Sequence, residues 1–122
     1  MTDTPTRTEP ERELDVDRDL AVKLYEVMVL TRAVEDRTVA MYRGGDLLGS
    51  LYTGHWHEAI SVGAASCLRP DDYMAPLHRN LGAHLWKGME PCQIMASFMG
   101  KATSPTGGRS GRRCRTSIST PP

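Results

Sequence analysis

From Asp17 onward apolar side chains return at helical spacing: Leu20, Leu24 and Met28, then Val27, Leu30, Val34 and Met41. Intervals of three and four put such residues on one face of a 3.6-residue period. Asp15 or Asp17 can cap the start and Arg43-Gly44-Gly45 supplies a stop, so the pattern predicts one long helix over residues 18–43. Lys23, Glu26, Arg32, Glu35, Asp36 and Arg37 are expected on its exposed side, facing solvent or another subunit.

A glycine-punctuated loop follows, with Gly44, Gly45, Gly49 and Gly54. Nearly every residue from Glu58 to Leu68 is small, which lets another backbone approach closely. This predicts a buried helix starting near Trp56 and ended by Arg69-Pro70-Asp71-Asp72, since proline cannot continue a helix and aspartates favour turns. Tyr73-Met74-Ala75-Pro76 is short and apolar and predicts a buried strand ending at Pro76. Leu81 to Lys87 predicts a short helix closed by Gly88. Pro91 suits the first turn of another, with Ile94, Met95, Phe98 and Met99 on one face and Gly100 as its end. Four helices and one strand do not make a sheet, so the missing strands are expected further along a longer chain or on another subunit.

The flanks have a different character. Residues 1–16 lack apolar periodicity and read as a disordered leader; the patterned domain is expected over 17–103. Residues 104–122 hold Gly, Arg, Ser, Thr and Pro with one large aliphatic, and read as a disordered, off-pattern tail. The 122 residues carry no net charge, so no global field favours nucleic acid or a membrane surface. The charge is unevenly placed: seven acids against three arginines in the first twenty residues, and four arginines with no acid from Arg109 onward. Cys67, Cys92 and Cys114 form no C-x-x-C pair, and Cys67 is expected to pack as a small hydrophobe. With no disulfide framework, no apolar signal core and no membrane-length run, a reducing cytoplasm is the expected location.

The candidate chemistry is sparse. His78-Arg79 follows the predicted strand, where α/β sheets place ligands, and arginine offers a fork of donors matched to phosphate. Taken alone, the pair is a weak signal: such a strand-end His-Arg is more often structural than a phosphate-reading corner. His55-Trp56-His57-Glu58 lacks the spacing of a metal site, and no metal ligand is assigned. Glu58 suits the start of the small-residue helix, where an acid meets the positive end of the dipole. Tyr52 lies in a glycine-flanked loop, where it could line a pocket or cover the surface. Gly107-Gly108-Arg109-Ser110-Gly111 is not a phosphate loop, and there is no nucleophile elbow.

Read in order, six segments resemble one family. They are Met28-Val29-Leu30-Thr31-Arg32, Met41-Tyr42-Arg43-Gly44-Gly45, Glu58-Ala59-Ile60-Ser61-Val62-Gly63-Ala64, Leu68-Arg69-Pro70-Asp71-Asp72-Tyr73, His78-Arg79-Asn80-Leu81-Gly82 and Phe98-Met99-Gly100-Lys101-Ala102-Thr103. Together, over about residues 20–109, they resemble the N-terminal part of the alpha subunit of thiamine-diphosphate-dependent 2-oxo acid dehydrogenases, the pyruvate, branched-chain and acetoin enzymes. The resemblance implies an α/β thiamine-diphosphate-binding fold, of which this chain is an incomplete N-terminal part, mostly helical with one short strand. It implies that His78 and Arg79 reach the diphosphate and substrate side of the cofactor, and that Tyr52 stands at a substrate-side position often held by histidine. A tyrosine there keeps a hydroxyl donor in place of an imidazole. Where the family reads Gly-Gln-Glu-Ala or Gly-Glu-Glu-Ala, this chain has Trp56-His57-Glu58-Ala59.

The family's Gly-Asp-Gly motif for magnesium and diphosphate, with its later Asn, does not occur in this sequence. The implied cofactor is thiamine diphosphate with magnesium. The implied partners are a beta subunit, which carries the cofactor-activating glutamate, and a lipoyl-bearing acyltransferase. The parent reaction is oxidative decarboxylation of a 2-oxo acid with acyl transfer to the lipoyl group. No catalytic residue is assigned to this fragment, which is expected to be inactive alone. The change of character after Arg109 suggests a truncated or frameshifted product. Leu51, Trp56, Tyr73 and Trp86 are expected to form an exposed patch on a loosely folded chain. Two other classes remain open on the residues alone: a small helical interaction module without catalysis, and a nucleic-acid binder using the arginine tail.

Overall fold

The computed structural model describes residues 16–47 and 49–109. Four helices follow in order: α1 (Arg18–Arg43), α2 (Glu58–Ser66), α3 (Leu81–Trp86) and α4 (Pro91–Phe98). The long first helix runs where the apolar period placed it. Asp17 stands at its N-cap without a side-chain cap bond, although its carbonyl accepts from the Ala21 amide at 2.9 Å. Asp19 in the first turn and Arg43 in the last complement the helix dipole. In α4, Glu90 and Gln93 form a reciprocal capping box and Pro91 opens the first turn, so the start of this short helix is written locally.

The core is small. Val34 of α1, Leu81 and Leu85 of α3, Met89 of the connection that follows and Ile94 of α4 are buried together, with Val27, Met95 and Phe98 against them. Between α1, α2 and α3 runs a tighter, more polar seam, where Thr31 and Val62 are almost fully buried; Thr38, as deeply buried, lies against Met95 of α4. Thr31 and Thr38 donate to the carbonyls of Val27 and Val34, each at 2.7 Å, and so are buried with their hydroxyls satisfied. Gly82 lets α3 into this seam. A β-carbon there would stand 2.5 Å from Ser61 Oγ and 2.7 Å from Val62 Cγ2.

Lys87, at the end of α3, reaches back to the segment that leaves α2. Its ammonium donates to the carbonyls of Arg69, Pro70 and Asp72 at 2.7, 2.8 and 3.0 Å. These carbonyls belong to an exposed turn and find a partner within the chain.

The structure corrects several expectations. The segment 73–76 forms no strand, and no strand occurs among the described residues; Tyr73 is 91% exposed rather than buried. A strand needs a ladder partner for its amides and carbonyls, and no neighbouring segment supplies one. Helix α2 buries only one side, through Ser61, Val62 and Ala65, while Ile60 and Ala64 face outward. Cys67 is exposed rather than packed. Glu35, expected on the solvated face of α1, is 5% exposed. Of the expected apolar patch, Trp56 and Tyr73 are exposed, whereas Leu51 and Trp86 are half-buried, Trp86 beneath the Lys23 ammonium at 5.0 Å.

Residues 104–109, assigned to the tail, close a series of turns: Ser104 is buried and its Oγ accepts from the Gly108 amide at 2.9 Å. Residues 1–15 of the predicted leader and 110–122 of the tail, with Cys114 and three of the four tail arginines, lie outside the described residues.

Candidate functional site

The three residues singled out from the sequence come from two loops. Tyr52 lies between α1 and α2; His78 and Arg79 immediately precede α3. The structure brings Tyr52 and His78 into ring contact, with centroids 5.0 Å apart and planes tilted by 41°. Both line a shallow cleft with Glu35, Thr38, Leu81 and Phe98. Arg79 follows directly. Its side chain is exposed, and no carboxylate pairs with it among the described residues.

Gly54 is where the two loops come into close contact. A β-carbon on it would stand 2.2 Å from the Arg79 carbonyl oxygen and 3.0 Å from Glu35 Oε1. No residue but glycine fits so close a backbone approach. The Gly54 amide donates to Glu35 Oε1 at 3.0 Å, and the Gly54 carbonyl accepts from the His57 amide at 2.8 Å. The buried carboxylate of α1 thus reaches the floor of the cleft.

Two carboxylates of this region are perturbed in opposite senses. Burial pushes Glu35 above the usual carboxylate range, partly offset by the Gly54 amide and by His55. Glu58, in the first turn of α2, is also buried but is held below that range by the hydrogen bond from Arg32 Nε. The same pairing raises Arg32, whose guanidinium also lies 4.6 Å from the centre of the Trp56 ring. His55 Nε2 lies 3.2 Å from Asp36 Oδ1 and 3.6 Å from Glu35 Oε2, aligned for a hydrogen bond with neither. On α3, burial lowers the His84 imidazole.

The backbone of Trp56 is unusual. Its φ is +70°, the left-handed region, and it is the only non-glycine residue there among those described.

The sequence singles out Tyr52, His78 and Arg79, of which Tyr52 and His78 meet at the cleft, and it does not single out Glu35 or the close approach at Gly54. The available signal for Glu35 was its place between Thr31 and Thr38, at intervals of four and three, on the stripe that also holds Val27 and Val34. Among the described residues no group of three His, Cys, Asp or Glu side chains is arranged to hold a metal, and no helix is long and apolar enough to cross a membrane.

Comparison with known proteins agrees with the family resemblance. Over 78 residues the chain is 41% identical to the 3-methyl-2-oxobutanoate dehydrogenase subunit alpha of Mycobacterium tuberculosis, covering 63% of this chain and 21% of that protein. Over 96 residues it is 35% identical to the chloroplastic pyruvate dehydrogenase E1 component subunit alpha-3 of Oryza sativa, covering 79% and 23%. Over 89 residues it is 35% identical to the 2-oxoisovalerate dehydrogenase subunit alpha of Bacillus subtilis, covering 72% and 27%. The chain therefore spans between a fifth and three-tenths of the length of these relatives. No solved structure matches it. Residues 25–120 match the family described as dehydrogenase E1 component, a match that runs past Arg109 into the arginine-rich stretch. The chain belongs to the dehydrogenase E1 component family.

Proposed function

We propose that this chain forms one wall of a thiamine diphosphate site in a 2-oxo acid dehydrogenase alpha subunit. The observation that carries the reading is the meeting of Tyr52 and His78 at one cleft, with Arg79 beside them and free of any carboxylate partner among the described residues. An exposed guanidinium next to an aromatic pair suits an anionic, partly aromatic ligand. In this reading Arg79 grips diphosphate oxygens by charge-assisted hydrogen bonds, His78 orients the substrate end, and the Tyr52 ring walls the pocket. The α/β fold implied by the resemblance belongs to the same proposal.

When bound, thiamine diphosphate supplies the electron sink for loss of carbon dioxide from a 2-oxo acid. The residues of this chain bind and orient; none is assigned a proton-transfer step. Magnesium has no donor set among the described residues, and no step is assigned to it here. The parent enzyme would pair this subunit with a beta subunit and pass its acyl product to a lipoyl-bearing acyltransferase. The reading keeps the cytoplasm as the place of action, in accord with the free thiols of Cys67 and Cys92.

The interaction-module reading is favoured by one observation: Val22, Tyr25 and Val29 are exposed along α1 at intervals of three and four. The two readings separate in a titration of thiamine diphosphate with magnesium, following tryptophan fluorescence, on the chain alone and mixed with a family beta subunit. Saturable binding in the mixture that is lost in Arg79→Ala supports the cofactor site. Complex formation with no saturable cofactor response supports the module and overturns the cofactor reading.

A further inference from the structure

We propose that Glu35 is a positioning residue that locks the Tyr52 loop onto the loop carrying His78 and Arg79. The inference rests on the reading of those residues as a cofactor site, and goes beyond it to a group on α1, remote from both loops in sequence.

The geometry is a convergence of three segments on Gly54. Glu35 Oε1 accepts the Gly54 amide at 3.0 Å, and the Arg79 carbonyl lies against the same glycine, where one added β-carbon would be 2.2 Å from that carbonyl oxygen and 3.0 Å from Oε1. Two residues before Gly54, the Tyr52 ring meets His78. One carboxylate thus holds the glycine against which the Arg79 backbone packs. Glu35 Oε2 is buried without a hydrogen bond and faces His55 Nε2, which also lacks one, at 3.6 Å. The second oxygen therefore faces the same loop one residue further on. Burying a carboxylate carries a desolvation cost that an apolar side chain would avoid, so packing alone does not account for glutamate at this position. Its gain lies in the fixed loop.

The test uses the full chain as wild type, Glu35→Ala, Glu35→Gln and Gly54→Ala. Amide hydrogen exchange at residue 54 and NMR contacts between the Tyr52 and His78 rings report on the loops; signals from Val34 and Leu85 report on the core. Glu35→Ala is expected to speed exchange of the Gly54 amide on the order of tenfold or more and to abolish the Tyr52–His78 contacts while the core signals persist. Glu35→Gln keeps a carbonyl acceptor and is expected to restore both. In the chain mixed with a beta subunit, thiamine diphosphate affinity should fall about tenfold in Glu35→Ala and recover in Glu35→Gln.

Unchanged Gly54 exchange and intact Tyr52–His78 contacts in Glu35→Ala would overturn the proposal. Should Glu35→Ala fail to fold, Gly54→Ala decides: it disturbs the close approach of the two loops with Glu35 in place, and intact ring contacts in that variant would overturn the proposal equally. Loss of the ring contacts in Glu35→Ala, in a wild-type chain that binds no thiamine diphosphate, would keep the lock and remove the cofactor reading.

Discussion

Arg32 on α1 donates through Nε to the carboxylate of Glu58 on the first turn of α2, joining two helices across the polar seam. The carboxylate is buried while the guanidinium is one-third exposed, so the pair sits at the edge of the fold with only one charge withdrawn from water. Because Arg32 lowers Glu58 in the folded chain, the stabilisation is complete above the carboxylate range of the unfolded chain. It is lost as pH falls through the lower, folded value. Urea midpoints measured from about pH 7 down to about pH 3 should fall steeply in wild type and less steeply in Arg32→Met, which starts from a lower midpoint.

Glu35 predicts the opposite slope. Its folded form favours the proton, so its contribution is present at low pH and declines as pH rises from the unfolded carboxylate range through the raised, folded value. Glu35→Gln should therefore gain stability relative to wild type as pH rises through that window and then hold a constant advantage. The same urea series checks this, and a difference that shrinks with rising pH would contradict it.

Two glycines on packed helices should respond in opposite directions to alanine. At Gly82 the added carbon meets Ser61, Val62 and, at 3.1 Å, Thr31 Oγ1, inside a seam with no free space. Gly82→Ala should cost about 1–3 kcal/mol. At Gly63, in the middle of α2, nothing lies within 4 Å of the added carbon. Gly63→Ala should gain about 0.5–1 kcal/mol through helix propensity. Chemical denaturation of both variants provides the measurement.

Trp56 carries a left-handed backbone that glycine adopts without strain. Replacing tryptophan by alanine or glycine removes the same stacking with Arg32, but only glycine relieves the backbone. Trp56→Gly should be more stable than Trp56→Ala by about 1 kcal/mol. The sign is diagnostic, since at an ordinary loop position alanine is the more stable of the two.

Arg79 is exposed and pairs with no carboxylate among the described residues, so Arg79→Ala should leave the unfolding free energy within about 0.5 kcal/mol of wild type. Arg79→Lys keeps the charge but loses the planar fork. It should weaken diphosphate binding by about tenfold in the mixture with a beta subunit, where Arg79→Ala abolishes it. A lysine variant binding as tightly as wild type would remove the bidentate grip.

Much of the helical architecture was legible because its signals are local. The limits of α1 follow from the apolar period and from Arg43-Gly44-Gly45; α4 begins where Pro91 and the Glu90–Gln93 box place it. The extended segment at Tyr73 was misread because a strand is a property of two segments, and composition at 73–76 carries no information about the second. Glu35 was misread for a related reason. Periodicity groups Thr31, Glu35 and Thr38 on one stripe, but which stripe is covered depends on where α2 and α3 dock. Charge argued for solvent there, whereas the Gly54 amide drew the carboxylate inward. Of the proposed site, Tyr52, His78 and Arg79 were singled out through the family resemblance, but the contact between Tyr52 and His78 arises only when two loops separated by α2 meet.

The ammonium of Lys87 fills a ring of three carbonyl oxygens much as a small cation fills a crown ether, except that this cation is tethered by its own side chain. The turn from Arg69 to Asp72 therefore needs no ion from the medium to hold its curvature. The approach to His78 and Arg79 is anchored at its upstream end by a charge the polypeptide brings with it.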